Sequence, residues 1–176
     1  MSDEAALENA RVEAKLRACV HCRRVGMLVG HGLLFGYTET SSARELRGRR
    51  LLCSNRDRRS GCGRTFSVWL AAVVPRRIVR ARTVFALLTG LASGISRAAA
   101  WRQASSMTLR TGYRIAARLA IAGPGIRTTL LSRAPPPSTE SASPDAQLAL
   151  HLRAIFGAAG SLADYQLAFQ RSALAS

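Results

Sequence analysis

The pattern of apolar and polar positions changes character twice along the chain. Residues 2–18 read as a helix, with Leu7, Ala10, Ala14 and Leu16 as its apolar stripe. Ser2 is its expected cap, and Asp3 and Glu4 suit the positive end of its dipole. "VGMLVGHGLLFGYTE" is then rich in glycine and β-formers, and "ELRGRRLLC" is a second extended segment. "TSSAR" between them is the expected turn, so the pair predicts a β-hairpin. "FSVWLAAVV" fits either a third strand or the start of a helix, because periodicity does not separate the two in so short an apolar run.

From Pro75 the pattern is helical. Ile78, Val84, Phe85, Leu88 and Leu91 mark a helix over 78–92. A second starts at its cap Ser96, and a third is capped by Ser106 or Thr108 and stopped at Gly123-Pro124. A short fourth begins at Pro124. "APPPSTESASP", 134–144, has linker composition, and two further helices, with caps Asp145 and Ser161, are joined by "GAAG". The expected organisation is α+β. It comprises an N-terminal helix (1–18), a metal-binding β-hairpin (19–74), a mainly helical region (75–133), a linker (134–144) and a C-terminal helical hairpin (145–176).

Charge alters this picture. The formal net charge is +16, and no carboxylate occurs between Asp57 and Glu140, a stretch that holds fourteen arginines from Arg58 to Arg133. Unopposed charges of one sign repel unless a polyanion neutralises them. Lys15 is the sole lysine, which coding bias toward arginine explains, but bias does not explain the missing acids. The acidic N-terminal sequence is unlike a signal peptide, and no apolar run is long enough to span a bilayer. The expectation is a cytoplasmic, nucleoid-associated protein with no membrane partner.

Four cysteines, Cys19, Cys22, Cys53 and Cys62, are the whole stock and lie within 44 residues. In a reducing compartment such a set points to metal. A Cys-x-x-Cys turn places two sulfurs on one side of an ion, and a hairpin returns the second pair, so a structural Zn2+ bound by all four is expected. The second pair is spaced C-x8-C, with the basic stretch "SNRDRRSG" as an insertion in the knuckle, and "CGRTFS" has the form of a zinc knuckle. With four protein ligands no coordination position remains for catalysis. His21 and His31 are not expected ligands.

In the third helix Arg110, Arg114 and Arg118 recur at i, i+4, i+8 as a basic stripe, while Ile115, Leu119 and Ala122 form an apolar one. Leu109, Gly112 and Ala116 supply small residues for close packing. Thr111 and Tyr113 add polar reach near the N-terminal half, and Arg102 with Trp101 on the second helix faces the backbone of a bound duplex. A solvated arginine face would show the same stripe.

"CVHC…GHGLLFGY…RGRRLLC…GCGRTFS" followed by such helices resembles the DNA-recognition region of insertion-sequence transposases, over roughly residues 19–130. The resemblance implies a zinc ribbon with ligands Cys19, Cys22, Cys53 and Cys62, a helix-turn-helix, and binding to terminal repeats. The family's RNase-H-like domain, with three carboxylates and Mg2+, has no counterpart: after residue 57 only Glu140, Asp145 and Asp164 are acidic. The expected function is therefore non-catalytic binding of duplex DNA, transposase-derived or transposase-accessory. Arg47, Arg49, Arg50, Arg56, Arg58 and Arg59 are the expected phosphate contacts of the hairpin, and Arg102, Arg110, Thr111, Arg114 and Arg118 those of the helices. The C-terminal helices, with Leu162, Tyr165 and Phe169 on one side, either form a homodimer or transposase contact or cover the same core. The alternative function is a zinc-ribbon adaptor that binds RNA or a protein machine such as RNA polymerase.

Overall fold

The computed structural model describes residues 3–138, 142–157, 161–169 and 173–174. The chain divides into two compact units, Met1–Leu70 and Ala71–Ser176. Both helix and sheet are present, so the class is α+β.

Unit 1 holds helix α1 (Asp3–Ala14) and strands β1 (Leu28–Thr38), β2 (Ser41–Cys53) and β3 (Thr65–Trp69). The strands form one antiparallel sheet in the order β1-β2-β3. The long hairpin appears where expected, but its turn is only Glu39-Thr40. Thr38 pairs directly with Ser41, so most of "TSSAR" belongs to β2. Ser41 Oγ also accepts the Ala43 N–H at 3.1 Å, a local bond just after the turn. "FSVWLAAVV" resolves as strand only as far as Trp69.

On α1, Leu7 and Ala14 are buried two turns apart, whereas Leu16 lies beyond the helix and is exposed. Glu8 is bonded to Arg11 on its own helix and to Arg49 Nη2 at 3.2 Å, which ties α1 to the sheet. The expected cap Ser2 lies outside the described residues. The core of this unit is small: Ala14, Cys19, Leu28, Leu51 and Cys53, with Cys22, Met27, Phe66 and Val68 packed around it.

Unit 2 is helical: α2 (Ala81–Ala92), α3 (Arg97–Ala104), α4 (Leu109–Leu130), α5 (Pro144–Phe156) and α6 (Leu162–Phe169). Leu87, Leu88, Trp101, Leu119, Leu130, Leu148, Leu152 and Leu162 are fully buried in one continuous core. Ile78 precedes α2 and is exposed, so the helix is shorter than its apolar pattern suggested. Ser96 caps α3 by accepting the Ala99 N–H at 3.3 Å.

The four-residue connection from α3 to α4 is pinned by Trp101, whose Nε1–H donates to the carbonyls of Met107 and Thr108, both at 3.0 Å. Gly112 lies against the ring. A Cβ there would come within 2.2 Å of the indole, so glycine is what lets the two helices meet.

α4 does not stop at Gly123-Pro124. It continues to Leu130 and absorbs the expected fourth helix. Pro124 removes one ladder hydrogen bond, but Pro124 and Ala120 are both exposed, so water can satisfy the orphaned carbonyl. Gly123, Ile126 and Leu130 are buried on the opposite side, and their packing outweighs the break.

Ser143, not Asp145, caps α5. It accepts the Ala146 N–H at 3.2 Å with Pro144 in the first turn, the position where a missing N–H costs nothing. Ser161 caps α6 by accepting the Asp164 N–H, and the Asp164 carboxylate takes the Ser161 N–H and hydroxyl, both at 2.8 Å, as a reciprocal box. Leu162 and Tyr165 are buried, so the apolar side of α6 covers the core of its own unit. In the expected linker, residues 134–138 have no regular structure and 139–141 lie outside the described residues, as do 158–160 of "GAAG". Among the described residues, no helix is long and apolar enough to cross a membrane.

Candidate metal centre

The four cysteines converge in unit 1. Their sulfurs all lie within 4.8 Å of one another. Cys19 Sγ is 3.9 Å from Cys62 Sγ, and Cys22 Sγ is 3.6 Å from Cys53 Sγ. Disulfide-bonded sulfurs would be about 2.05 Å apart. Four thiolates bound tetrahedrally at about 2.3 Å would sit about 3.8 Å from each other, so the 3.6 and 3.9 Å separations are compatible with a metal site. Cys19 and Cys53 are buried, Cys22 is half-buried and Cys62 is exposed. The side chains of His21 and His31 are exposed, and among the described residues the cluster contains cysteines alone.

Two knuckles build the site, and their hydrogen bonds correspond one for one. In the first, the Cys19 N–H donates to Arg24 O at 2.9 Å and the Arg23 N–H to Cys19 O at 2.8 Å. In the second, the Cys53 N–H donates to Arg64 O at 2.9 Å and the Gly63 N–H to Cys53 O at 2.9 Å. The residue after the second cysteine has positive φ in each: Arg23 at 63° and Gly63 at 73°. Backbone N–H groups also point at sulfur, from His21 to Cys19 Sγ at 3.4 Å and from Cys62 to Cys53 Sγ at 3.3 Å. Such donors favour the charged thiolate that a metal requires.

The long second spacing closes because the insertion is pinched at its base. The Gly61 N–H donates to Ser54 O at 2.9 Å. A Cβ on Gly61 would lie 2.2 Å from that oxygen and 2.8 Å from the Cys53 carbonyl carbon. Cys53-Ser54 and Gly61-Cys62 thus act as a Cys-x-x-Cys unit, with residues 55–60 looped out between the two middle positions. Ser54 is buried, and its Oγ accepts the Arg56 N–H at 3.3 Å. Asp57 and Arg58 complete the loop with φ of 51° and 63°. Arg24 reaches across from the first knuckle and donates to Ser60 O.

The surroundings shift two of the thiols in opposite directions. Burial raises the Cys19 thiol, but the N–H groups of Cys22 and His21 and the neighbouring sulfurs outweigh it, and the net shift is downward. Burial also pushes Cys53 up, the Cys62 N–H opposes it, and the sulfurs of Cys22, Cys19 and Cys62 add to the rise. The thiolate is thus favoured at Cys19 and disfavoured at Cys53. A metal that engages all four sulfurs must expel any proton they hold, so acid opposes its binding.

The expected nucleic-acid contacts separate into three groups. Arg50, Arg56, Arg58 and Arg59 are exposed, the last three on the pinched loop. Arg47 and Arg49 are not disposed as expected. Arg47 is only 6% exposed and donates to Tyr37 O, with its side chain against Gly36, while Arg49 is half-buried on Glu8. Both are occupied in holding the hairpin and α1. In unit 2, Arg102, Arg110 and Arg114 are exposed, and Thr111 and Arg118 are half-buried. Three exposed arginines of the knuckles were missed, Arg23, Arg24 and Arg64, and so was Gly61. The signal for them lay in the residues touching each cysteine pair, "CRR" and "GCGR".

No family profile, curated protein or solved structure matches the chain.

Proposed function

We propose that the protein is a non-catalytic binder of duplex DNA, transposase-derived or transposase-accessory, whose four cysteines hold a structural Zn2+. The observation that carries this reading is the pinched knuckle. A four-sulfur site that leaves no open coordination position serves structure, and this one presents a loop of three exposed arginines. Each unit has its own surface for the duplex. In unit 1, Arg23, Arg24, Arg56, Arg58, Arg59 and Arg64 surround the centre and meet phosphates. In unit 2, α3 and α4 act as a helix-turn-helix, with Arg110, Thr111, Tyr113 and Arg114 at the N-terminal end of the recognition helix and Arg102 on the backbone.

Deleting residues 55–60 tests both halves of this reading. The shortened chain reads Cys-Ser-Gly-Cys, so it should keep one zinc per chain. It loses three arginines, and each phosphate contact contributes about 0.9 to the slope of log affinity against log salt. A parental slope near −5, from about six contacts, should fall in magnitude by about 2 to 3 on the same duplex. Loss of the metal would refute the two-knuckle geometry. An unaltered slope would remove the loop from the interface.

A further inference from the structure

The four sulfurs of the candidate metal centre are not equivalent. Cys19 and Cys53 are buried, and each sulfur accepts a backbone N–H, from His21 at 3.4 Å and from Cys62 at 3.3 Å. Cys22 is half-buried and Cys62 is exposed. Among the described residues, their sulfurs are bonded only to other sulfurs. A donor that stabilises a thiolate also lowers its nucleophilicity. Cys62 is therefore the sulfur that solvent reaches and that no N–H blunts. Arg23, Arg24 and Arg64 are exposed on the same two knuckles, and reactive thiolates occupy such electropositive, accessible settings. The fold also sets the partner of Cys62: Cys19 Sγ, on the other knuckle, lies 3.9 Å away. Cys22 and Cys53 make a second pair across the knuckles at 3.6 Å.

We propose that the centre is a peroxide-sensitive switch that opens at Cys62 and closes a disulfide between Cys62 and Cys19. This rests on the reading of the four sulfurs as a zinc site, and it does not depend on DNA binding. The Cys62 thiolate attacks one oxygen of hydrogen peroxide, the O–O bond breaks, and hydroxide leaves, which makes Cys62 a sulfenic acid. The Cys19 thiolate then attacks the Cys62 sulfur and expels the second hydroxide. Two electrons have passed from the two sulfurs to the peroxide, and the sulfurs have closed from 3.9 Å to about 2.05 Å. Zinc loses two of its four ligands and is released. The new bond joins the two knuckles in place of the metal, whereas a bond between Cys19 and Cys22 would lie within one knuckle. A thiol reductant returns the two electrons, so reduction with added zinc restores the centre.

The test uses the full zinc-loaded chain, hydrogen peroxide, and a chromogenic chelator that reports free zinc. Peroxide should release the zinc, and dithiothreitol with zinc should reload it. Dimedone, which traps sulfenic acids, should label Cys62, and peptide mapping without dimedone should find Cys19 linked to Cys62. Cys62→His keeps four ligands, because sites of three cysteines and one histidine hold zinc, and it should lose the peroxide-driven release. Cys22→His should keep it. Trapping and mapping on the parent decide the matter if either variant fails to hold metal. The proposal is overturned if zinc survives peroxide, if dimedone labels another cysteine first, if the disulfide joins Cys19 to Cys22, or if a zinc-loaded Cys62→His chain releases metal like the parent. A chain purified without zinc would refute the metal reading and the switch with it. Peroxide-driven release from a chain that ignores duplex DNA would refute only the DNA-binding part of the proposed function.

Discussion

Replacing Cys53 with serine is expected to unfold unit 1 and leave unit 2 folded. Cys53 and Cys19 are two of the five buried residues in the hydrophobic cluster described for this unit, so cysteines of the candidate metal centre are a large part of what that cluster contains. A unit of this size seldom buries enough apolar surface to fold alone and needs a staple. Structural zinc supplies about 10–16 kcal/mol in small metal-dependent domains, more than the whole stability of most small folds. Cys53 also anchors the second knuckle through its N–H, its carbonyl and the Cys62 N–H on its sulfur. Unit 2 shares none of this, because its core is built from its own helices. Residue-resolved amide exchange should show protection lost across β1, β2 and β3 and kept across α2 and α4. Chelation of the metal should do the same to the parent. Protected strands in metal-free protein would contradict the assignment.

Replacing Gly112 with alanine should destabilise unit 2 by about 3 kcal/mol. In an exposed helix the same change stabilises by about 1 kcal/mol, because glycine loses more backbone freedom on folding. Here the new methyl would meet Cγ of Trp101 at 2.2 Å, and two more indole carbons at 2.6 Å. The ring has no room to withdraw: it is buried, and its Nε1–H is held by two carbonyls of the α3–α4 connection. Overpacking a filled core typically costs about 1–3 kcal/mol, and a fixed ring puts this site at the upper end. Gly125→Ala in the same helix is the control, since a Cβ there meets nothing within 4 Å. Urea midpoints should fall for Gly112→Ala and hold or rise for Gly125→Ala. Equal midpoints would show that the helices do not meet as described.

Several of these features could be read from the sequence. The cysteine spacing, the long hairpin and the Ser96 cap each depend on local chemistry that a short window contains. The small residues of α4 were also legible as a packing surface, and Gly112 is where the contact occurs. Other features depend on partners far along the chain. Arg47 looks like any arginine in a basic strand, and only the fold places its side chain beneath Gly36 and its donor on Tyr37. Pro124 carries a strong local stop signal, which the burial of Ile126 and Leu130 overrides. Closure of the C-x8-C pair brings Gly61 onto the Ser54 carbonyl, beside the bonds that join Cys53 to Gly63, Arg64 and Cys62, and no spacing rule encodes it.

That closure is the central claim, and X-ray absorption at the zinc edge of the purified full chain tests it most directly. Two closed knuckles predict one zinc per chain with four sulfur neighbours at about 2.3 Å and no nitrogen or oxygen in the first coordination sphere. A site with two sulfurs completed by lighter atoms would show that Cys53 and Cys62 do not close on the ion.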